Sequence, residues 1–282
     1  MSAPSLESDP LVDPSWIAAH VDDPLVRVVE LDVSAAAYDK GHVPGAILWD
    51  AYVDLRHPDY APIGSAEFER LLTRSGIGPQ TTVVFYGYSP YLGFWLMKRF
   101  GHQQARFMDG DRERWANAGH KWSVEVPTPQ PSDYPRPAEN TELVASRSDV
   151  QAMVGGSDDD VILDVRSQAE FAGEQFWPSA DAASAGRAGH VPSAVNIPDD
   201  ALRSEDGALR GIPDLRRLFE DKGVNRHCRI VTYCTIGNRA SLVWFVLTYV
   251  LGYPNVGVYY GSWAEWGTLP DTPVMTSSGA DR

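Results

Sequence analysis

Cys234 lies where a strand-like run, RIVTY (229–233), meets an apolar helix-like run that starts at Ala240. The six residues CTIGNR (234–239) connect the two runs. Such a loop can turn its backbone N–H groups inward, and Gly237 permits a positive φ angle if the curl requires one. Together with the positive potential of a helix N-terminus, these groups favour a thiolate at the cysteine. The sequence therefore predicts a nucleophilic Cys234.

The other five residues of this loop are predicted to contact the substrate. Arg239 closes the loop as a fixed cation that can hold a sulfur anion or a substrate oxygen. Thr235, Ile236, Gly237 and Asn238 belong to the backbone that would surround the sulfur. Most cysteines are simply small buried residues. The position of this one, at a strand's carboxyl end before a Gly-containing loop and an Arg, favours catalysis instead.

The second cysteine, Cys228, stands six residues earlier, at the start of the same strand-like run. Six residues of extended strand would separate the two sulfur atoms by roughly 20 Å, which is beyond the reach of a disulfide. We interpret Cys228 as structural. Two cysteines without CxxC pairs or nearby ligand histidines do not indicate a zinc site, so no metal or organic cofactor is expected.

Composition and the N-terminus narrow the possible functions. The 282 residues include 24 Lys and Arg against 38 Asp and Glu, for a formal net charge of −14. Such a charge repels nucleic acids and anionic lipid surfaces, so neither is expected as a partner. The first residues show neither the basic nor the apolar region of a signal peptide, and no apolar run is long enough to span a bilayer. We expect a cytoplasmic protein.

The chain contains an internal repeat of four sequence blocks in the same order. The paired blocks are 26–33 with 161–167, 41–47 with 189–198, 81–87 with 228–234, and 108–115 with 259–266. Each copy alternates β-branched runs with helix-like stretches, which predicts an α/β domain with a mostly parallel sheet flanked by helices. Five prolines between 127 and 137 favour an extended linker. The predicted organisation is a domain at 1–126, a linker at 127–140 and a second domain at 141–282.

Comparison of the two copies distinguishes residues that support the fold from residues that take part in the reaction. The Gly-His-Val-Pro turns at His42 and His190 occur in both copies, which favours a structural role for these histidines. Gly87 stands in the first copy where Cys234 stands in the second. The second copy also has four extra residues between the strand-end Tyr and the Gly that follows the helix, and we place them in the Cys234 loop. The first domain is therefore predicted to be catalytically inactive.

Some charged and aromatic residues occur only in the second copy. Arg187 ends a long insertion, 174–189, which could fold over the cleft. Arg187 is predicted to bind the anionic group of a substrate, with a solvated surface Arg as the alternative. Arg166, aligned with Ser34, is interpreted as a structural ion-pair partner. Trp263 is more typical of a core than of a site, and the sequence leaves open whether Arg166 and Trp263 line the cleft.

Across essentially its whole length the chain resembles the tandem rhodanese family, which includes thiosulfate and 3-mercaptopyruvate sulfurtransferases. The resemblance rests on the paired GHVP turns, LDVRS, the CTIGNR loop and YYGSWAEWG. It implies two rhodanese-like domains, an inactive first and an active second, and transfer of sulfane sulfur from a small anionic donor through a Cys234 persulfide. The acceptor would be a thiophilic small molecule, such as cyanide or a thiol, or a protein. Because Arg239 is present and the Gly-Ser-Gly-Val of mercaptopyruvate enzymes is absent, thiosulfate is the favoured donor and 3-mercaptopyruvate the other candidate.

Two rival functions are compatible with the same loop. Cysteine phosphatases also place a Cys and an Arg at the two ends of an anion-binding loop, but with five residues between them. Only four intervene here, which suits one sulfur better than a tetrahedral phosphate. The non-enzymatic rival is a carrier or interaction module that holds a persulfide for a dedicated protein partner.

Overall fold

The computed structural model describes residues 10–58, 61–157, 159–176, 186–204 and 208–276. These residues form two compact units, the first ending at Asn140 and the second beginning at Thr141. Among the described residues, no helix has both the length and the apolar character needed to cross a membrane.

The first unit is built on a five-stranded sheet with the order β1-β5-β4-β2-β3, in which every strand pairing is parallel. Its strands are β1 (Leu11–Val12), β2 (Val26–Asp32), β3 (Ile47–Asp50), β4 (Thr82–Tyr86) and β5 (Ala105–Met108). Its helices are α1 (Pro14–His20), α2 (Ala36–Lys40), α3 (Ser65–Arg74), α4 (Pro90–Arg99) and α5 (Arg112–Asn117).

The second unit has a four-stranded parallel sheet with the order β7-β6-β8-β9. Its strands are β6 (Asp160–Asp164), β7 (Val195–Asn196), β8 (Arg229–Tyr233) and β9 (Val256–Val258). Its α-helices are α6 (Arg147–Met153), α7 (Gln168–Ala172), α8 (Ile212–Glu220), α9 (Asn238–Phe245) and α10 (Ser262–Trp266). Short 3-10 helices cover Thr141–Leu143 and Asp199–Leu202.

The central strands are buried because helices cover the sheet. In β8 all residues after Arg229 are buried, and the same holds for β4 after Thr82. Runs that are apolar at nearly every position are typical of parallel strands covered on both faces. The predicted α/β architecture, a parallel sheet flanked by helices in each copy, is confirmed.

The connection between β8 and α9 is shorter than the sequence suggested. The helix begins at Asn238 with Gly237 as its N-cap, so the loop consists of the four residues 234–237. The corresponding connection in the first unit, 87–89, has three. The prediction that all four extra residues lie in the loop is therefore wrong. One lies in the loop and three lengthen the helix, which continues as a π-helix over Val246–Val250.

The strand register also corrects the sequence alignment of the two copies. Tyr86 of β4 pairs with Glu30 of β2, and Tyr233 of β8 pairs with Asp164 of β6. Glu30, and not Asp32, is therefore the counterpart of Asp164. Both strands end in Leu-Asp, so the sequence alone matches Asp32 with Asp164. The structure differs because β2 continues for two residues beyond Glu30. By the same shift, Arg166 corresponds to Asp32 rather than to Ser34.

The proline-rich segment 127–140 groups with the first unit. Tyr134 is buried, and its hydroxyl lies 2.9 Å from Nδ1 of His102. Ser132 donates from its hydroxyl to the carbonyl of Ile77 at 2.6 Å. The segment thus packs on the domain that it follows, while the predicted domain boundaries stay a prediction.

Candidate active site

Cys234 is the first residue after β8, at the carboxyl end of a central strand, and only 1% of it is exposed. The backbone N–H of Gly237 donates to its Sγ over 3.1 Å. Gly237 has a φ angle of 90°, a conformation that favours glycine, and this turn directs its N–H back towards the sulfur. The sulfur therefore lies at the N-terminus of α9 in contact with a backbone donor, as the sequence predicted.

A second segment, 259–264, holds the backbone of the cysteine. The N–H of Cys234 donates to Oγ of Ser262 at 3.3 Å, and its carbonyl accepts from Trp263 N–H at 3.0 Å. Ser262 in turn donates to the carbonyl of Tyr259 at 2.8 Å. It is fully buried and has a φ angle of 54°, which a residue with a side chain seldom adopts. Sequence reasoning missed Ser262, whose only signal was its place in the GSW turn.

Arg239 lies in the first turn of α9 and forms a two-pronged ion pair with Glu170 of α7. Its Nη1 and Nη2 donate to the two carboxylate oxygens of Glu170 at 2.8 and 2.9 Å. Thr235 joins the pair: its hydroxyl lies 2.9 Å from Oε1 of Glu170 and also accepts from Nη2 of Arg239. The structure thus brings together Thr235 and Arg239, both predicted site residues, around a carboxylate that the sequence analysis did not select.

Glu170 is 1% exposed and also completes the cap of its own helix. Its Oε2 accepts from the backbone N–H of Ser167 at 3.1 Å and from the Ser167 hydroxyl at 3.0 Å. The Ser-x-x-Glu pattern at 167–170 indicates such a capping box from sequence. Nothing in that pattern shows that the same carboxylate reaches across to the Cys234 loop.

The charges of this pair reinforce each other. Burial alone would raise the pKa of Glu170, but the hydrogen bonds and charge of Arg239, with Arg166 and Thr235, outweigh it and lower that pKa. Burial alone would lower the pKa of Arg239, but Glu170 and the nearby Cys234 and Asp199 raise it above its usual value. Both groups are therefore charged at neutral pH.

Two further predicted site residues, Ile236 of the loop and Asn238 of α9, follow the cysteine closely in the chain. Ile236 is 6% exposed, and Asn238, the first residue of α9, is 9% exposed. The Oδ1 atom of Asn238 has no hydrogen-bond partner among the described residues. Ile236 thus offers an apolar side chain and Asn238 an uncommitted amide oxygen.

Arg187 makes its hydrogen bonds to a different segment. Its guanidinium donates to the carbonyls of Trp266, Leu269 and Thr272 and to the Thr272 hydroxyl. These bonds tie residues 266–272 to the chain before the GHVP turn. The tip of the insertion predicted to cover the cleft, 177–185, lies outside the described residues.

Beneath the loop lies a buried ion pair between Arg166 and Asp164. The guanidinium donates to both carboxylate oxygens, at 2.6 Å for the shortest contact, and to the carbonyl of Gly189 at 2.7 Å. Tyr233 donates to the same carboxylate at 2.5 Å, and Arg166 lies over the ring of Trp263, 4.3 Å from its centroid. Arg166 and Trp263 are both fully buried. The geometry therefore matches the interpretation of Arg166 as an ion-pair partner and of Trp263 as a core residue.

The two GHVP histidines make the same contacts in the two units. Nδ1 of His42 lies 3.0 Å from the carbonyl of Tyr38, and Nδ1 of His190 lies 2.7 Å from that of Phe171. Each imidazole also stacks on the ring of the same partner. These contacts are those of structural residues that hold the GHVP turn against the preceding helix.

Comparison with known proteins agrees with this architecture. The sequence profile described as "Rhodanese-like domain" matches the chain twice, over residues 13–118 and 146–269. The chain belongs to the rhodanese family. This finding confirms the resemblance and the tandem arrangement of two rhodanese-like domains.

Relatives from three organisms match nearly the full length of this rhodanese. "Sulfur carrier protein TtuD" of Thermus thermophilus is 39% identical, covering 94% of this chain and 95% of its own. A "Putative thiosulfate sulfurtransferase" of Haloferax volcanii is 36% identical, covering 97% and 99%. "Putative thiosulfate sulfurtransferase SseA" of Mycobacterium tuberculosis is 37% identical, covering 94% and 90%.

Solved structures share the fold. The anaerobic ergothioneine biosynthesis enzyme of Chlorobium limicola, bound to trimethyl histidine, superimposes with a TM-score of 0.83 at 24% identity. The match covers 95% of this chain and 70% of that enzyme. An EanB structure that carries a cysteine persulfide also has a TM-score of 0.83 and 24% identity, with the same coverage of the two chains.

Proposed function

We propose that this rhodanese-family sulfurtransferase carries the transferred sulfur on Cys234 as a persulfide. The observation that carries the proposal is the 3.1 Å contact from Gly237 N–H to the Cys234 sulfur at the N-terminus of α9. Backbone donors and the positive end of a helix stabilise an anionic sulfur before and after transfer. The first unit has Gly87 at this place, which supports its assignment as the inactive domain.

The first half-reaction loads the cysteine. The Cys234 thiolate attacks the outer, sulfane sulfur of the donor and forms a new S–S bond. The bond between the sulfane sulfur and the rest of the donor breaks, and the leaving group departs with its electron pair. With thiosulfate the leaving group is sulfite. With 3-mercaptopyruvate it is pyruvate, once the carbon left by the sulfur has taken up a proton.

The second half-reaction removes the sulfur from Cys234. A thiophilic acceptor, such as cyanide or a thiolate, attacks the outer sulfur of the persulfide, and the Cys234 thiolate is the leaving group. The Gly237 N–H that contacts the sulfur in the free protein is in place to stabilise that thiolate as it is released. The cycle uses residues of the chain alone and shows the alternation of two substrates that is typical of covalent catalysis.

We propose thiosulfate as the small donor, with 3-mercaptopyruvate as the other candidate. The charge of Arg239, which favours thiosulfate in the sequence, is paired with Glu170. The helix N-terminus and the loop amides are then the groups that attract the anion. Arg187, predicted to bind the donor's anionic group, has its guanidinium on the carbonyls of 266–272, and we propose that it shapes the cleft.

The pairing of Arg239 also supports a second candidate function, that of a sulfur carrier for a protein partner. A loop whose cation is already neutralised offers no uncompensated side-chain charge to a small dianion. A relative over nearly the whole chain bears the name of a sulfur carrier protein. We place either reaction in the cytoplasm, because both cysteines are free thiols and thiols stay reduced in that compartment.

Steady-state turnover of thiosulfate and cyanide tests the proposal and separates the two functions. We expect the wild type to form thiocyanate with ping-pong kinetics, Cys234→Ser to be inactive, and Cys228→Ser to retain wild-type rates. Loading by thiosulfate without turnover by cyanide would favour the carrier. Sulfur loading of Cys234→Ser equal to that of the wild type would overturn both. The ratio of kcat/KM for thiosulfate and 3-mercaptopyruvate ranks the donors.

A further inference from the structure

We infer that Glu170 is a positioning residue for sulfur transfer, acting on the Cys234 loop through Arg239 and Thr235. The inference rests on the proposed function of Cys234. It also assigns Arg239 a different task from the one that its charge suggests. Arg239 holds the loop in shape through its contacts with Glu170 and Thr235, and the donor's anionic group is bound elsewhere.

The carboxylate ties together two side chains that lie on either side of the sulfur's donor. Thr235 is one residue after Cys234 and Arg239 is five residues after it, and Gly237 lies between them. Both side chains reach Oε1 of Glu170, and Arg239 also reaches Oε2. The direct contact between Arg239 and the Thr235 hydroxyl closes the ring. A buried carboxylate thus fixes the ends of the turn whose middle N–H contacts the sulfur.

Glu170 is itself held rigidly. It is 1% exposed, and the Ser167 backbone and hydroxyl both donate to it from the start of α7. A carboxylate that accepts four or more hydrogen bonds cannot change its position without losing several of them. Any displacement of Glu170 would therefore be passed directly to the loop.

The first unit lacks this residue, which provides an internal comparison. Tyr38 and Phe171 correspond, because each stacks on its GHVP histidine and accepts from it. The residue before each is Ala37 in the first unit and Glu170 in the second. The carboxylate thus occurs in the unit with the cysteine and is an alanine in the unit with Gly87.

The ion pair also limits what Arg239 offers the donor. Both outer nitrogens of its guanidinium are used by Glu170 and Thr235. A side chain with these bonds is poorly placed to bind a substrate anion, so its removal should change the rate of the chemical steps and leave donor binding nearly intact. A substrate-binding cation would show the opposite division, a raised KM at constant kcat.

The test is a double-mutant cycle with Glu170→Ala, Arg239→Ala and the double variant, assayed with thiosulfate and cyanide. We expect each single variant to lower kcat by about 100-fold, the cost of a small misplacement of a reacting group, with KM for thiosulfate changed less than about twofold. Because the two side chains act through one shared ion pair, kcat of the double variant should fall no further than kcat of the worse single variant. Glu170→Gln, which keeps the shape and loses the charge, should recover part of the rate.

Glu220→Gln is the matched control, since it removes one carboxylate from an exposed position of α8 and should retain wild-type kcat. Thermal unfolding and accessibility of Cys234 to a small alkylating reagent show whether each variant is folded. If Glu170→Ala loses its fold, Glu170→Gln and Arg239→Lys give the same division between kcat and KM. A raised KM at constant kcat, or losses that multiply in the double variant, would overturn the inference. Absence of both persulfide formation and turnover in the wild type would instead contradict the proposed function.

Discussion

Arg112 in the first unit and Arg166 in the second make the same set of contacts, although they come from different elements. Arg112 donates to Glu30 and to the carbonyl of Gly41, and lies over Trp122 at 4.4 Å. Arg166 donates to Asp164 and to the carbonyl of Gly189, and lies over Trp263 at 4.3 Å. In each unit a strand-end tyrosine donates to the same carboxylate. Both domains thus pair a buried carboxylate with an arginine at this place, whether or not they carry a nucleophile.

Replacement of Arg166 by Leu should strongly destabilise the second unit. Asp164 would keep the Tyr233 hydroxyl but lose its cation, and a buried pair broken on one side typically costs about 3–5 kcal/mol. Urea unfolding followed by tryptophan fluorescence measures the loss. Arg229→Leu is the control: its pair with Asp149 is exposed, and the expected cost is below about 1 kcal/mol. Equal losses at the two positions would contradict the assignment of Arg166 as a structural ion-pair partner.

Ser262 combines an unfavourable φ angle with a hydroxyl on the Cys234 backbone. Ser262→Ala and Ser262→Gly both remove the acceptor of the Cys234 N–H, so both should lower kcat. The Gly variant should be the more stable by about 1 kcal/mol, because glycine tolerates the positive φ. Thermal unfolding and thiosulfate turnover check the two effects separately.

Ser193, with a φ angle of 63°, is the matched control for Ser262. Its Ala and Gly variants should show the same order of stability with unchanged turnover. Wild-type turnover in either Ser262 variant would show that the hydroxyl does not support the nucleophile.

A cysteine introduced at Gly87 should not create a second active site. The N-cap residue that corresponds to Gly237 is Ser89, and its N–H already donates to the carbonyl of Leu31 at 3.0 Å. Gly87 has a φ angle of 103°, and a Cβ there would lie 3.0 Å from the same carbonyl oxygen. We expect Gly87→Cys to cost about 1–3 kcal/mol of stability. The Gly87→Cys, Cys234→Ser double variant should show no sulfur transfer above Cys234→Ser alone, and measurable excess activity would contradict the role given to the loop.

The first unit should lose stability in mild acid through His102. Burial lowers the pKa of this histidine, whose two ring nitrogens lie 2.9 Å from the Tyr134 hydroxyl and the Thr81 carbonyl. The unfolded chain takes up a proton near pH 6.5 that the folded state excludes. The contribution of neutral His102 to the stability of the folded state is therefore complete above about pH 6.5. It is lost as the pH falls through the lowered pKa of the folded state.

Hydrogen exchange of the β4 amides between pH 7.5 and 5 measures this dependence. His102→Gln should reduce the slope of stability against pH. An unchanged slope in His102→Gln would show that this histidine does not couple protonation to folding.

The sequence allowed the fold and the position of Cys234 at a helix N-terminus to be predicted because both have local signals. β-branched runs, the repeated GHVP turn and a Cys before a glycine-containing loop are all visible within a few residues. Glu170 and Ser262 could not be found in this way. They lie 64 and 28 positions from Cys234, and their contacts with Thr235, Arg239 and the Cys234 backbone are created only by the tertiary structure. The four extra residues of the second copy could not be located from sequence for a similar reason. A longer helix and a longer loop add the same number of residues between the strand-end Tyr and the Gly after the helix.

The most direct test of a persulfide at Cys234 is the mass of the protein after incubation with thiosulfate and removal of the excess. We predict the addition of one sulfur, about 32 Da, located by peptide analysis at Cys234 and released by cyanide. Cys228 is buried beside the carbonyl of Gly223 and should stay unmodified. Addition at Cys228, or no addition with either thiosulfate or 3-mercaptopyruvate, would contradict the assignment of Cys234 as the sulfur carrier.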